Sequence, residues 1–228
     1  MKMTTINRRF IVVALLTLVS MLAVAQTQKT DTTSTHLLNE VRKYFNSNNE
    51  GAFYIACENY REYYLATGDL PLYYKGWMHE VLYDVNHNHF YRAMRKTTLM
   101  RNDMRKRKAE TEYYNATHLQ GVIFSLRGNI TLAHQYFERA LEEVDHSRPT
   151  NLINIYLDLA NIEMDTQPQE AMKHLNCAID IIKANNGRYE YSDAIGFKVI
   201  VAYAMRDWDT LNKAYQEYMK LQETLGND

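Results

Sequence analysis

Two histidines separated by one residue, His87-Asn88-His89, with Asp84 just upstream, are the nearest approach to a metal-binding cluster in this 228-residue chain. Imidazoles alternating in a turn can share a zinc or copper ion. The same three residues fall at a corner between two expected helices, where polar side chains belong in any case. Glu142, Glu143 and Asp145 form a carboxylate cluster, yet at the end of an exposed helix they read as a solvated face. There is no Gly-x-Ser-x-Gly elbow, phosphate-binding loop, Cys-x-x-Cys, His-Glu-x-x-His or dinucleotide glycine fingerprint. The chain is therefore expected to be non-enzymatic, with no metal and no cofactor.

Charge and aromatic patterning point to surfaces instead of chemistry. Between Arg92 and Lys108 lie Arg92, Arg95, Lys96, Arg101, Arg105, Lys106, Arg107 and Lys108 against one acid, Asp103. The dense end falls at an expected helix C-terminus, where the dipole favours cations; the remainder reads as a docking strip for an acidic partner or polyanion. Tyrosine occurs 18 times, with pairs at Tyr63-Tyr64, Tyr73-Tyr74 and Tyr113-Tyr114. Adjacent helical residues point about 100° apart, so one of each pair enters the core while its neighbour meets a groove or solvent.

The elements that carry these residues repeat. Gly121-Val122-Ile123-Phe124, Arg127-Gly128-Asn129 and Ala133-His134-Gln135-Tyr136-Phe137-Glu138-Arg139-Ala140-Leu141 form a helix, a turn and a second helix. Small residues at a helix crossing, here Gly121, Ala133 and Ala140, let two helices approach closely while Phe124 and Phe137 fill the space between. Anchoring on the residue that opens the second helix gives Ala56, Ala93, Ala133, Ala171 and Leu211, at separations of 37, 40, 38 and 40 residues. A turn-plugging residue precedes most anchors by three: Phe53, Phe90, Ile130, Pro168 and Trp208. An aromatic or aliphatic follows four residues later at Tyr60, Phe137, Leu175 and Tyr215, whereas Thr97 breaks the pattern. Pro168 lies in the turn of the fourth unit, with Thr166 and Gln169 placed for a capping box.

This spacing resembles the tetratricopeptide (TPR) repeat, with Trp77 at the usual Trp position of that family. The resemblance implies an all-α, right-handed solenoid of about five antiparallel helix pairs, each longer than the 34-residue standard unit. In TPR proteins the first helix of each pair lines the inner surface. Carried over, the groove is Met78, Leu82, His118, Val122, Ser125, Tyr156 and Ala160. That lining lacks the ordered Lys and Asn residues with which cochaperone TPR domains clamp a peptide carboxylate, so that activity is not expected. A solenoid also keeps Cys57 and Cys177, in units one and four, too far apart for a disulfide, and both read as small buried residues.

Lys2, Arg8 and Arg9 precede an uncharged run from Phe10 to Ala25 that ends Ala23-Val24-Ala25. This is the pattern of a secretory signal peptide, and the run is short for a membrane span. The expected organisation is signal peptide 1–25, flexible leader 26–35 and helical repeat domain 36–228, in the periplasm or secreted. Removing residues 1–25 leaves 23 Lys plus Arg against 27 Asp plus Glu. That mildly acidic balance does not suggest a nucleic-acid partner.

Two functional readings follow. One is an exported interaction module holding a peptide or protein segment. The other is the extracytoplasmic part of a signalling protein, because the signal peptide, long degenerate units and Tyr/Asn-rich helices resemble the sensor regions of Bacteroidota histidine kinases. The amphipathic segment Tyr215 to Leu225, with Tyr218, Met219 and Leu221, is expected to self-associate or dock a partner. N-terminal sequencing of exported protein should give Gln26 as the first residue; an intact Met1 chain in the membrane fraction would contradict the cleavage reading.

Overall fold

Ten α-helices and two short 3-10 turns build the computed structural model over the described residues, 32–47 and 49–225, with the backbone alone described at 32, 188 and 189. The helices are α1 (Thr32–Phe45), α2 (Glu50–Thr67), α3 (Leu70–Asn86), α4 (Phe90–Arg107) and α5 (Tyr113–Leu126), then α6 (Ile130–Glu143), α7 (Ile153–Glu163), α8 (Pro168–Ala184), α9 (Arg188–Met205) and α10 (Trp208–Leu225). The 3-10 turns Glu110–Glu112 and Pro149–Leu152 lead into α5 and α7. No strand occurs among the described residues. The signal-peptide reading lies outside them, and the leader reading does so up to residue 31; α1 takes in Thr32 to Thr35, which the leader reading had left unstructured.

Local chemistry fixes where the helices begin and end. Asn49, Asp69, Asn129 and Asp207 accept hydrogen bonds from the backbone N–H of Ala52, Leu72, Leu132 and Thr210, caps worth about 1 kcal/mol each. No capping box forms around Pro168. The N-cap of α8 is Gln167, which makes no side-chain cap bond, and Pro168 is the first helical residue. At six helix ends one residue turns left-handed: Gly68, Asn88, Lys108, Gly128, Asn186 and Arg206. The next N–H then returns to a carbonyl five residues back, as in Asp69 to Tyr64, Asn129 to Phe124 and Asp207 to Ala202, which is the Schellman closure. Such short reversals lay successive helices against each other.

Each helix packs on the one before it, from α1 on α2 to α9 on α10. Smaller contacts that skip one helix join α3 to α5 and α5 to α7. The core follows this order as three overlapping clusters, so it runs along the chain.

The even-numbered helices begin at Glu50, Phe90, Ile130, Pro168 and Trp208, at separations of 40, 40, 38 and 40 residues, and the first four share one burial register. Buried side chains recur at the fourth, eighth, eleventh and fifteenth positions: Phe53, Cys57, Tyr60 and Tyr64; Ala93, Thr97, Met100 and Met104; Ala133, Phe137, Ala140 and Val144; Ala171, Leu175, Ala178 and Ile182. Two expectations change. The first anchor is Phe53, one turn before Ala56, and the bulkier ring is accommodated by stacking on Tyr83 at 4.2 Å and meeting Phe45 edge-on at 5.7 Å. Thr97 keeps the pattern, because its hydroxyl donates to the Met94 carbonyl and leaves a methyl-sized surface for the core. The turn plugs fail at Ile130 and Trp208, which stay exposed.

Glycine is required where α5 crosses α6. A Cβ on Gly121 would sit 2.5 Å from the Phe137 ring, with Ala133 and Ala140 fully buried beside it. Phe124 stacks on Tyr136 at 5.2 Å. Trp77 is half-buried on α3, with the Arg61 guanidinium 4.6 Å from its ring centre. Gly121→Leu and Ala133→Phe are each expected to cost about 1–3 kcal/mol by overpacking this crossing, read as a lowered Tm, while Glu142→Ala on the exposed face leaves the melt unchanged.

Candidate functional site

The residues expected to line a groove sit on α3, α5 and α7, and the buried ones belong to three different core clusters: Leu82 to the first, Val122 to the second and Ala160 to the third. Leu82, Val122 and Ala160 are buried; Met78, Ser125 and Tyr156 are half-buried. His118 is also buried, its Nε2–H donating to Asp158 Oδ2 at 2.7 Å and tying α5 to α7. Tyr156 stacks on His174 at 5.9 Å. Of the seven, Met78, Ser125 and Tyr156 alone keep partial exposure.

Most of the buried charge ties one helix to another. Asp84, near the end of α3, is fully buried; it accepts from the Tyr54 hydroxyl at 2.6 Å and pairs with Arg92 at 2.7 Å and Lys96 at 3.0 Å. Glu80, one turn earlier, meets Arg61 at 3.0 Å and Lys96 at 3.2 Å. Glu163, at the end of α7, repeats the arrangement with different chemistry. It accepts from His134 of α6 at 3.0 Å and His174 of α8 at 2.7 Å. Tyr54 and His134 hold the fifth position of their helices, while Lys96 and His174 hold the seventh. A third tie joins α4 to α6 across α5: Arg101 pairs with Glu143 at 2.7 Å, and Thr117 bonds to both.

These ties account for half of the basic segment. Arg92, Lys96 and Arg101 are engaged as described, and Arg107 pairs with Asp103 at 2.8 Å. Arg95, Arg105, Lys106 and Lys108 remain exposed. Arg95 borders a shallow recess with Tyr91, Met94, Thr98 and Leu99. Glu143 likewise departs from the solvated-face reading that fits Glu142.

The histidine corner is also structural. His87 stacks on Tyr83 at 4.0 Å and its Nδ1 lies 2.8 Å from the Tyr83 carbonyl, whereas His89 approaches Asp84 at 3.7 Å. Among the described residues no three His, Cys, Asp or Glu side chains converge as a metal site. Cys57 is buried, and burial pushes its thiol pKa up. Cys177 is exposed, contrary to expectation, because it falls one residue outside the buried stripe of α8; both thiols are free. Tyr73 and Tyr74 are both buried, so this pair lacks the expected outward member.

One basic cluster is held out of water on α1 and α3. Burial, and then the nearby Arg42 charge, lower the Lys75 pKa to about 8. His79 is lowered to about 3 by burial and by Lys75 and Arg42, so its ring is neutral at pH 7.

Sequence reasoning missed the Asp84 and Glu163 ties. The available signal was an acid near the end of an apolar stretch, in Leu82-Tyr83-Asp84-Val85 and Ala160-Asn161-Ile162-Glu163. Among the described residues no helix is long and apolar enough to cross a membrane. No family model matches this chain, and no curated protein matches it at a significant level.

Glu143 supplies a test through pH. Partial burial raises its pKa, but bonds from Arg101, Thr117 and Arg139 outweigh that effect and hold it below the usual glutamate value. A depressed carboxylate contributes stability above its unfolded pKa of about 4.3 and loses it as pH falls through the folded value. Glu143→Gln should therefore lower Tm at pH 7 and narrow the difference between Tm at pH 7 and at about pH 3; an unchanged difference would show that the tie is not made in solution.

Proposed function

We propose that the chain is an exported, non-enzymatic interaction module of about five TPR-like helix pairs wound as a right-handed solenoid. It holds a peptide or protein segment along the strip between α3, α5 and α7. The observation that carries this reading is the burial register shared by α2, α4, α6 and α8. A repeated unit of that kind buries one side of every pair in the stack and leaves a continuous lateral surface, which is how helical solenoids bind extended partners.

The chemistry of the strip supports a polypeptide ligand. Met78 and Tyr156 offer a deformable thioether and an aromatic face, with the Ser125 hydroxyl between them in chain order. Methionine adapts to varied apolar side chains, and tyrosine contributes contact area at small entropic cost. The acids Glu80, Asp84, Asp158 and Glu163 along the same helices are engaged in helix ties, leaving shape and apolar contact to dominate recognition. A photo-crosslinking residue at Ser125 should give polypeptide adducts from envelope extract that a crosslinker at Glu142 does not. Equal labelling at both positions, or none at Ser125, would remove the groove from the proposal.

A further inference from the structure

The outward side of α4 differs from the corresponding side of every other even-numbered helix. Arg92 pairs with Glu50 of α2 and Arg101 with Glu143 of α6. Residues 92 and 101 leave opposite edges of a 3.6-residue helix, so the outward side of α4 lies between α2 and α6. Exposed residues fall there at the second, sixth, ninth, tenth and thirteenth positions: Tyr91, Arg95, Thr98, Leu99 and Asn102. At the ninth and thirteenth positions α2 carries Glu58 and Glu62, and α6 carries Glu138 and Glu142. Asp180 holds the thirteenth position of α8 and Glu217 the tenth of α10. Only α4 has no acid at any of the five.

In place of acids, α4 presents apolar surface and unpaired cations. Tyr91 is 83% exposed and Leu99 is 46% exposed. With Met94, Arg95 and Thr98 they border a shallow recess of about 280 Å³. That is smaller than the roughly 300–1,000 Å³ of a small-molecule pocket, and suits a single side chain of a larger partner. Arg95 stands beside the recess, and Arg105 and Lys106 follow in the last turn. Among the described residues none of these three side chains has an ion-pair partner. The helix dipole gives cations a reason in the last turn, but none for Arg95 in the first half.

We propose that this side of α4 docks an acidic polypeptide segment, laid along the helix with an apolar side chain in the recess and carboxylates on Arg95, Arg105 and Lys106. Charge complementarity selects the acid. Tyr91 and Leu99 supply the desolvated contact that exposed ion pairs lack by themselves. The flanking acids select the shape. They stand about one helix width to either side, roughly 10 Å, which is close to a Debye length at physiological salt. A narrow segment on α4 meets the cations at contact and the flanking carboxylates only through that screening. A membrane plane or a nucleic-acid duplex would rest on Glu58, Glu62, Glu138 and Glu142 as well. The surface is separate from the residues of α3, α5 and α7 assigned to the groove, so a ligand here and a ligand there do not compete for the same side chains.

The probe is a fluorescein-labelled peptide of about 15 residues with Glu at three- and four-residue spacing around a central Leu, followed by anisotropy against the full chain. It should bind, and more weakly at about 300 mM than at about 50 mM salt. Arg95→Glu/Arg105→Glu should weaken binding at least about tenfold, and Tyr91→Ala/Leu99→Ala should weaken it while keeping the salt dependence; both should leave the circular-dichroism melt in place, because all four side chains are exposed. The same charge change on α10, Lys213→Glu/Lys220→Glu, should leave binding intact. A parent that does not bind the peptide overturns the proposal. So does an equal loss in the α10 variant, which would make net charge the cause, or tighter binding of phosphatidylglycerol vesicles or duplex DNA through the same α4 residues.

Discussion

A helix in the middle of this chain must be covered on two sides, and the remaining architecture follows from that requirement. The stripe formed by Ala133, Phe137, Ala140 and Val144 is buried along its whole length. Its own partner α5 closes one side, and α7 helps close the other. Removing such a stripe from water is the main favourable term available to a helical stack. It also dictates the small residues at the crossings. Gly121 is there because the Phe137 ring occupies the space a side chain would need.

Covering apolar stripes does not by itself fix how far one helix slides along another, and the buried charges supply that register. Asp84 and Glu163 are each gripped from both sides: Asp84 by Tyr54 of the preceding even-numbered helix and by Arg92 and Lys96 of the following one, Glu163 by His134 and His174. Buried charges of this kind add little net stability, because desolvation offsets much of their attraction, yet a wrong register leaves a charge buried without a partner. The chain uses Tyr, Arg and Lys around Asp84 and two histidines around Glu163. The geometry is shared while the residue types are not.

That difference explains what the sequence disclosed. Ala93, Ala133 and Ala171 were legible because a small residue at a crossing answers to local geometry and recurs at a fixed spacing. Phe53 was not, since its size is tolerated only through Phe45 and Tyr83, which come from two other helices. Thr97 looked like an interruption because a hydroxyl suggests exposure, and its bond to Met94 is invisible in composition. The basic run from Arg92 to Lys108 looked like a surface strip for the same reason: its acidic partners Glu50, Glu80, Asp84 and Glu143 lie up to 42 residues away. The expected lining residues were placed on the right three helices, but which of them stay partly exposed was not legible, because Leu82, Val122 and Ala160 are claimed by three separate core clusters built from residues of several helices. Tyr218 and Leu221 were read in one associating segment with Tyr215 and Met219, whereas the core of the last pair claims Tyr218 and Leu221 and leaves Tyr215 and Met219 outside.

Native-state hydrogen exchange along the chain tests the central claim that stability is assembled pair by pair from two-sided cover. Where each helix depends mainly on its neighbours, protection should be greatest in α4 to α8, should fall towards both ends, and should be lower in α10 than in α6 despite the greater length of α10. Uniform protection from α1 to α10, or protection in α10 equal to that of α6 at concentrations where the chain is monomeric, would show a single cooperative core and contradict the account.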